Sequence, residues 1–204
     1  MKAIIFDRDG VLVDSNQAII YTYQKTGKIL GQKVPSKDFF RKKFGIIYSK
    51  VLEKAYGKNE KVFQAYREAW STCHRKIKRM PGLNATMKKI KFRKAIVTTG
   101  SMLATKIMLK DSLKYFPIII AREATRNHKP DAEPLLLACK KLKIKPREAV
   151  YVGDSVIDYK TARNAGTQFI GFLSNGSTKK EFRQAGAMVT VKSLNELPKV
   201  LEKF

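Results

Sequence analysis

Two aspartates separated by one residue, Asp7 and Asp9, stand directly after an apolar run and directly before Gly10. Such a pair can divide labour. One carboxylate can attack as a nucleophile or ligate a metal, while the other exchanges a proton with a leaving group. Gly10 admits the tight turn that would bring the second acid back over the first. Taken alone, Asp7-Arg8-Asp9-Gly10 reads equally well as a solvated turn at a strand end. Three further segments shift that balance. Thr98 ends another apolar run and is followed by Thr99-Gly100-Ser101, where a hydroxyl and backbone N–H groups can hold phosphoryl oxygens. Lys129, in His128-Lys129-Pro130-Asp131, can bring positive charge to a nucleophile or a transferring group. Asp154 and Asp158 follow a fourth apolar run. A helix starting between them would turn both acids toward one ion. Such a cluster of hard oxygen ligands suits Mg²⁺.

These residues need a scaffold that brings four distant segments to one edge. Short apolar runs at 2–6, 94–98, 115–121, 149–152, 168–173 and 187–191 read as strands. Several are apolar at consecutive positions, as strands covered on both faces of a parallel sheet are. Helical stretches at 102–110, 131–142 and 158–165 alternate with them, the first behind the N-cap candidate Ser101 and the last ending at Gly166. The expectation is an α/β fold: a Rossmann-like parallel sheet core with an inserted α-helical domain. In such sheets functional groups gather beyond the carboxyl ends of the strands. Between 15 and 80 the alternation breaks. Only helical signals appear, at 16–26, 36–44, 49–56 and 60–78, and no strand is expected there. The domain reading is therefore a core of 1–14 and 82–204 with a helical insert of 15–81.

Composition bounds the function. The chain has 204 residues and carries 42 Lys and Arg against 17 Asp and Glu, a formal charge of +25. The insert holds 16 of the basic and 4 of the acidic residues, +12 in about a third of the length. Cys73 and Cys139 are too few for a disulfide framework or a four-sulfur zinc site, so a reducing compartment is expected. The first apolar run meets Asp7 too early for a secretory leader, and no apolar run approaches the length of a membrane span. The expectation is a cytoplasmic protein without membrane contact. Short basic segments at 41–43 and 75–79 lack any nucleic-acid-binding motif, although a surface this basic would touch nucleic acid non-specifically at low salt.

The four chemical segments, in this order, resemble the four motifs of the haloacid dehalogenase superfamily. They are Asp7-Arg8-Asp9-Gly10-Val11-Leu12-Val13-Asp14-Ser15, the strand ending at Thr98, Lys129-Pro130-Asp131, and Gly153-Asp154-Ser155-Val156-Ile157-Asp158. The likeness runs essentially end to end, and the helical insert matches a C1-type cap of the phosphoglycolate-phosphatase and β-phosphoglucomutase-like branch. It implies that Asp7 forms an aspartyl-phosphate and that Asp9 serves as acid and then base. It further implies that Asp7, the Asp9 main-chain carbonyl and Asp154 hold Mg²⁺, with Asp158 bound directly or through water. Thr98 and the N–H of Thr99 would hold phosphoryl oxygens, and Lys129 would neutralise charge near Asp7. The activity implied is Mg²⁺-dependent hydrolysis of a small phosphomonoester, phosphoglycolate being the first guess. A sugar phosphomutase using the same chemistry, or a nucleic-acid-binding protein on this scaffold, are the alternatives. The resemblance says nothing of oligomeric state.

Arg8 departs from the pattern, which places an apolar residue there. Other residues read as bystanders. Adjacent residues on a helix point in different directions, so Cys73 and His74 make a poor catalytic pair. His128 reads as a loop residue, and Phe63, Tyr66 and Trp70, recurring with Val62 and Ala69, as a core-facing stripe. Asp14-Ser15 reads as a hinge and helix N-cap.

Overall fold

The computed structural model describes residues 1–174 and 176–204; the side chain of Lys76, within the basic segment 75–79, lies outside the described residues. Strand β1 (Ala3–Phe6) is followed by a two-residue strand β2 (Val13–Asp14) and four helices, α1 (Asn16–Ile29), α2 (Lys37–Arg41), α3 (Tyr48–Tyr56) and α4 (Glu60–Cys73). The chain returns through β3 (Lys78–Arg79) and α5 (Leu83–Lys89). Strands β4 (Arg93–Val97), β5 (Ile118–Ile120), β6 (Ala149–Gly153), β7 (Gln168–Phe172) and β8 (Thr190–Val191) then alternate with α6 (Met102–Leu109), α7 (Glu133–Leu142), α8 (Val156–Ala165) and α9 (Lys179–Ala185). Helix α10 (Leu197–Leu201) comes last.

The six longer-range strands form one parallel sheet in the order β5-β4-β1-β6-β7-β8. Its consecutive apolar residues are explained by two covers. Ile4, Phe6, Ile96 and Val152 face one apolar cluster, whereas Ala3, Ile5, Val97 and Tyr151 face the other. Alternate side chains of a strand point to opposite faces, so both must be apolar when both are covered. Phe6 pairs with Ile96 on one side and Val152 on the other. That register brings the carboxyl ends of β1, β4 and β6 to one edge.

The stretch expected to be free of strands contains one exception. Val13 and Asp14 pair antiparallel with Arg79 and Lys78, giving the insert's two connections a short ribbon. Two residues per strand are too few to leave a periodic signal. The third apolar run, 115–121, also shortens to Ile118–Ile120, because residues 110–115 are wound into 3₁₀ turns. Inside the insert, Ile20, Phe40, Val51, Leu52 and Val62 form a separate apolar cluster. Helix α4 buries Val62, Ala65, Ala69 and Cys73 on one face. These mostly small side chains let α1 approach closely. Among the described residues no helix is long and apolar enough to cross a membrane.

Candidate active site

Asp7 leaves the end of β1, its N–H bonded to the carbonyl of Val152 at 2.8 Å. Its Oδ1 accepts from the Arg8 N–H at 2.7 Å and from Lys129 Nζ at 2.9 Å. Lys129 also donates to Asp158 Oδ1 at 2.7 Å, so one buried ammonium bridges two buried carboxylates. The local sequence explains where Asp158 points. Ser155 caps α8 and Asp158 is its third residue, and each binds the other's backbone N–H in a capping box. The Tyr151 hydroxyl donates a further bond to Asp158 Oδ1 at 2.9 Å. Asp154 Oδ2 accepts from Asn16 Nδ2 at 2.7 Å and from the Ser174 hydroxyl at 2.8 Å. Gly10, at φ +71°, passes so close that a Cβ there would lie 2.0 Å from Asp154 Oδ2. No other residue type fits that turn.

The carboxylates of Asp7, Asp154 and Asp158 offer ligand atoms within 4.8 Å of one another, all buried. Asp158 spends both oxygens on Lys129, Tyr151 and Ser155. Among the described residues, no donor reaches Asp7 Oδ2, Asp154 Oδ1 or the Asp9 carbonyl. Asp154 Oδ1 and the Asp9 carbonyl, together with the Asp7 carboxylate, form a hard oxygen donor set that fits a divalent cation such as Mg²⁺. Electrostatics agree. Burial, with the charges of Asp158, Asp9 and Asp154, raises the Asp7 carboxyl well above the ordinary range despite Lys129. Burial and the Asp158 charge push Asp154 up to about 7. Burial would depress Lys129, but Asp158 and Asp7 more than offset it and leave the ammonium raised. A second positive centre is what this cluster lacks.

Asp9 is secured by two residues that sequence reading set aside. Arg8 donates to Asp9 Oδ2 from Nε at 3.1 Å and Nη2 at 2.6 Å, and the Ser15 hydroxyl donates to Oδ1 at 2.7 Å. Ser15 is not the expected N-cap: its backbone is helical and its side chain makes no cap bond. Arg8 is buried, and its Nη1 donates to Thr105 Oγ1 at 2.9 Å on α6. Gly100 leaves room for it, since a Cβ there would meet Nη2 at 2.1 Å. The motif beyond β4 is thereby tied to Asp9. Thr98 is buried, with its Oγ1 accepting the Gly100 N–H at 3.0 Å, and Thr99 lines the open space above.

That space is a cavity of about 420 Å³ with Asp7, Asp9 and Asp154 at its floor. Lys129 and Asp158 lie outside its lining, behind Asp7. Helix α4 contributes Tyr66 and Trp70 to the wall: Trp70 opens on the cavity and does not face the core as expected, whereas Tyr66 both lines the cavity and packs against the insert's apolar cluster, beside the buried Val62, Ala65, Ala69 and Cys73. Phe63 does pack against the insert's apolar cluster. His74 lines the cavity and His128 does not. Asn16 and Tyr151 were missed altogether. Their partners are 138 residues and seven residues away, and only the latter leaves any local trace.

Acids and a buried lysine at the carboxyl edge of a parallel sheet, beneath a helical insert, define an α/β protein with an acidic cavity floor. The chain belongs to the haloacid dehalogenase-like hydrolase family, whose model matches residues 4–172. A Clostridium perfringens protein bearing the name PpaX is 31% identical over 179 residues, covering 84% of this chain and 83% of its own. A phosphorylated carbohydrates phosphatase of Thermotoga maritima is 28% identical across 98% of this chain and 100% of its own. Among solved structures, a haloacid dehalogenase-like protein of Bacteroides fragilis superposes with a TM-score of 0.86 at 28% identity, over 96% of this chain and 99% of that one.

Proposed function

We propose that the protein is a Mg²⁺-dependent phosphomonoester hydrolase that works through an aspartyl-phosphate on Asp7. The observation that carries this is the pairing at the nucleophile. Lys129 and a backbone N–H engage Asp7 Oδ1, no donor among the described residues reaches Oδ2, and Asp7 lines the cavity. Oδ2 attacks phosphorus as the bond to the leaving alcohol breaks, and Asp9 gives that oxygen a proton. Asp9 then takes a proton from water, which attacks phosphorus and releases Asp7. Thr98 and the Thr99 N–H hold phosphoryl oxygens, and Lys129 balances charge on Asp7 while Asp158 and Tyr151 fix the lysine. Mg²⁺, held by Asp7, the Asp9 carbonyl and Asp154, would supply the remaining positive charge. The insert 15–81 acts as a cap over the core, excluding water and choosing the small phosphorylated substrate. Relatives named for phosphatase activity support the reaction class.

Phosphate release from an aryl phosphate, with Mg²⁺ and with EDTA, tests the reading in wild type and in Asp7→Asn. Metal-dependent release that falls to background in the variant is expected. Release that survives Asp7→Asn would remove Asp7 as nucleophile and the mechanism with it.

A further inference from the structure

The cavity above the acids is built for more than a phosphate. Tyr66 and Trp70 at the end of α4, and His74 just past it, recur every four residues, and their rings lie nearly parallel. Tyr66 and Trp70 are inclined by 12° with centroids 6.4 Å apart, and Trp70 and His74 by 27° at 5.9 Å. Tyr48 of α3 continues the row, stacked on Tyr66 at 5.0 Å and 16°, with the Arg122 guanidinium 5.1 Å from its ring centre. All five line the cavity.

The fully buried face of the helix is Val62, Ala65, Ala69 and Cys73. Tyr48 and Tyr66 lean on the insert's apolar cluster from the cavity side, and Tyr66, Trp70 and His74 remain only partly covered. The sheet domain answers with exposed apolar groups on the same cavity. Leu103 is 69% and Ile107 51% exposed on α6, yet both line it. Aromatic rings and aliphatic side chains left open around one space, continuous with the acidic floor where the phosphate would sit, suit a flat apolar body joined to a phosphate.

We infer that the substrate is a phosphomonoester whose alcohol carries an aromatic ring, seated against the row formed by Tyr48, Tyr66 and Trp70. This inference rests on the phosphatase reading of the acidic floor and departs from phosphoglycolate, whose leaving group has no ring to place there. The ring lies along the cap side while the phosphate meets Asp7, so affinity gained from the ring holds the ester in line for attack.

Trp70 is the sole tryptophan of the chain and reports on its own site. The first experiment titrates its emission with benzylphosphonate and with methylphosphonate, neither of which can be hydrolysed, in the presence of Mg²⁺. Saturable change with the first, at least about tenfold tighter than with the second, is expected for a stacked ring. Equal response to both would overturn the inference. The second compares kcat/KM for 2-phenylethyl phosphate and ethyl phosphate, which share a primary alkyl leaving oxygen and so differ little in intrinsic reactivity. Wild type should favour the ring-bearing ester by about tenfold or more, Trp70→Phe should keep most of that ratio, and Trp70→Ala should bring it toward one. A ratio near one in wild type, or one unchanged in Trp70→Ala, would overturn the inference while leaving the phosphatase reading standing. Binding of benzylphosphonate without release from either ester would support the ring subsite and overturn the phosphatase reading.

Discussion

The guanidinium of Arg8 grips the carboxylate of its neighbour Asp9, placing both Nε and Nη2 on the same oxygen at 3.1 and 2.6 Å. The grip is anchored from behind, because Nη1 reaches Thr105 across 97 positions of sequence. Asp9 is thus fixed by α6 as well as by its own turn. We predict that Arg8→Leu lowers kcat by roughly 10- to 100-fold with a smaller change in KM, since a misplaced proton donor costs rate more than binding. Arg8→Lys should recover only part of the loss, because an ammonium cannot reproduce the fork. Steady-state kinetics on any accepted ester decide this; a kcat within twofold of wild type would show that Asp9 orients without Arg8.

Gly100 gives a second handle on the same contact. A methyl group there would lie 2.1 Å from Arg8 Nη2, far inside contact distance, so the guanidinium must move. Gly100→Ala is therefore expected to lose activity by a factor similar to that of Arg8→Leu. In the double variant the shorter leucine removes the clash, and the second substitution should add little. A double-mutant cycle measures this coupling directly. Fully additive losses would mean that Gly100 acts through the phosphate-binding loop and not through Arg8.

These contacts mark the limit of sequence reading. The sheet was legible because consecutive apolar residues demand two covers, and because Asp7, Thr98 and Asp154 each follow such a run. Their convergence follows from strand register, which is not written in any one segment. Arg8 was visible only as an anomaly, since its meaning depends on Gly100 and Thr105, both more than 90 positions away. The stripe of α4 was legible in part. Val62, Phe63, Tyr66 and Ala69 pack as its spacing implies, but periodicity does not tell where a face leaves the core, and Trp70 opens on the cavity instead.

Metal binding should be visible without catalysis. Asp7 and Asp154 are buried together beside Asp158, and one lysine opposes three carboxylates. An ion that binds this folded cluster and not the unfolded chain stabilises by mass action, about 2.7 kcal/mol at a hundredfold excess over its Kd. Thermal denaturation should show Mg²⁺ raising Tm in wild type, and most of that rise should vanish in Asp154→Asn. The metal-free variant is expected to be no less stable than metal-free wild type, because it removes one repelling charge. An equal Mg²⁺ response in both proteins would place the ion elsewhere.

A bidentate ion pair helps to tie the insert to the sheet domain. Arg41 of α2 spans to Glu181 of α9, with Nη1 and Nη2 on separate carboxylate oxygens at 3.0 and 2.9 Å and a further bond to the Gly176 carbonyl at 2.8 Å. Hydrogen bonding from Arg41, helped by Thr178, lowers the Glu181 carboxyl to about 2 from its ordinary 4.5. A carboxylate depressed on folding stabilises the protein above its unfolded value and loses that contribution as pH falls through its folded value. The pair should therefore contribute fully near pH 7, and fade between about pH 4.5 and pH 2. Half-exposed to solvent and open to salt, it is worth about 1 kcal/mol at most. Urea unfolding of wild type and Glu181→Gln should show a stability difference at pH 7 that shrinks steadily below pH 4.5. Acrylamide quenching of Trp70 should rise in Arg41→Ala at neutral pH, as the cavity opens. A stability difference independent of pH, together with unchanged quenching, would mean that the other contacts of the insert, not this pair, keep it over the acids.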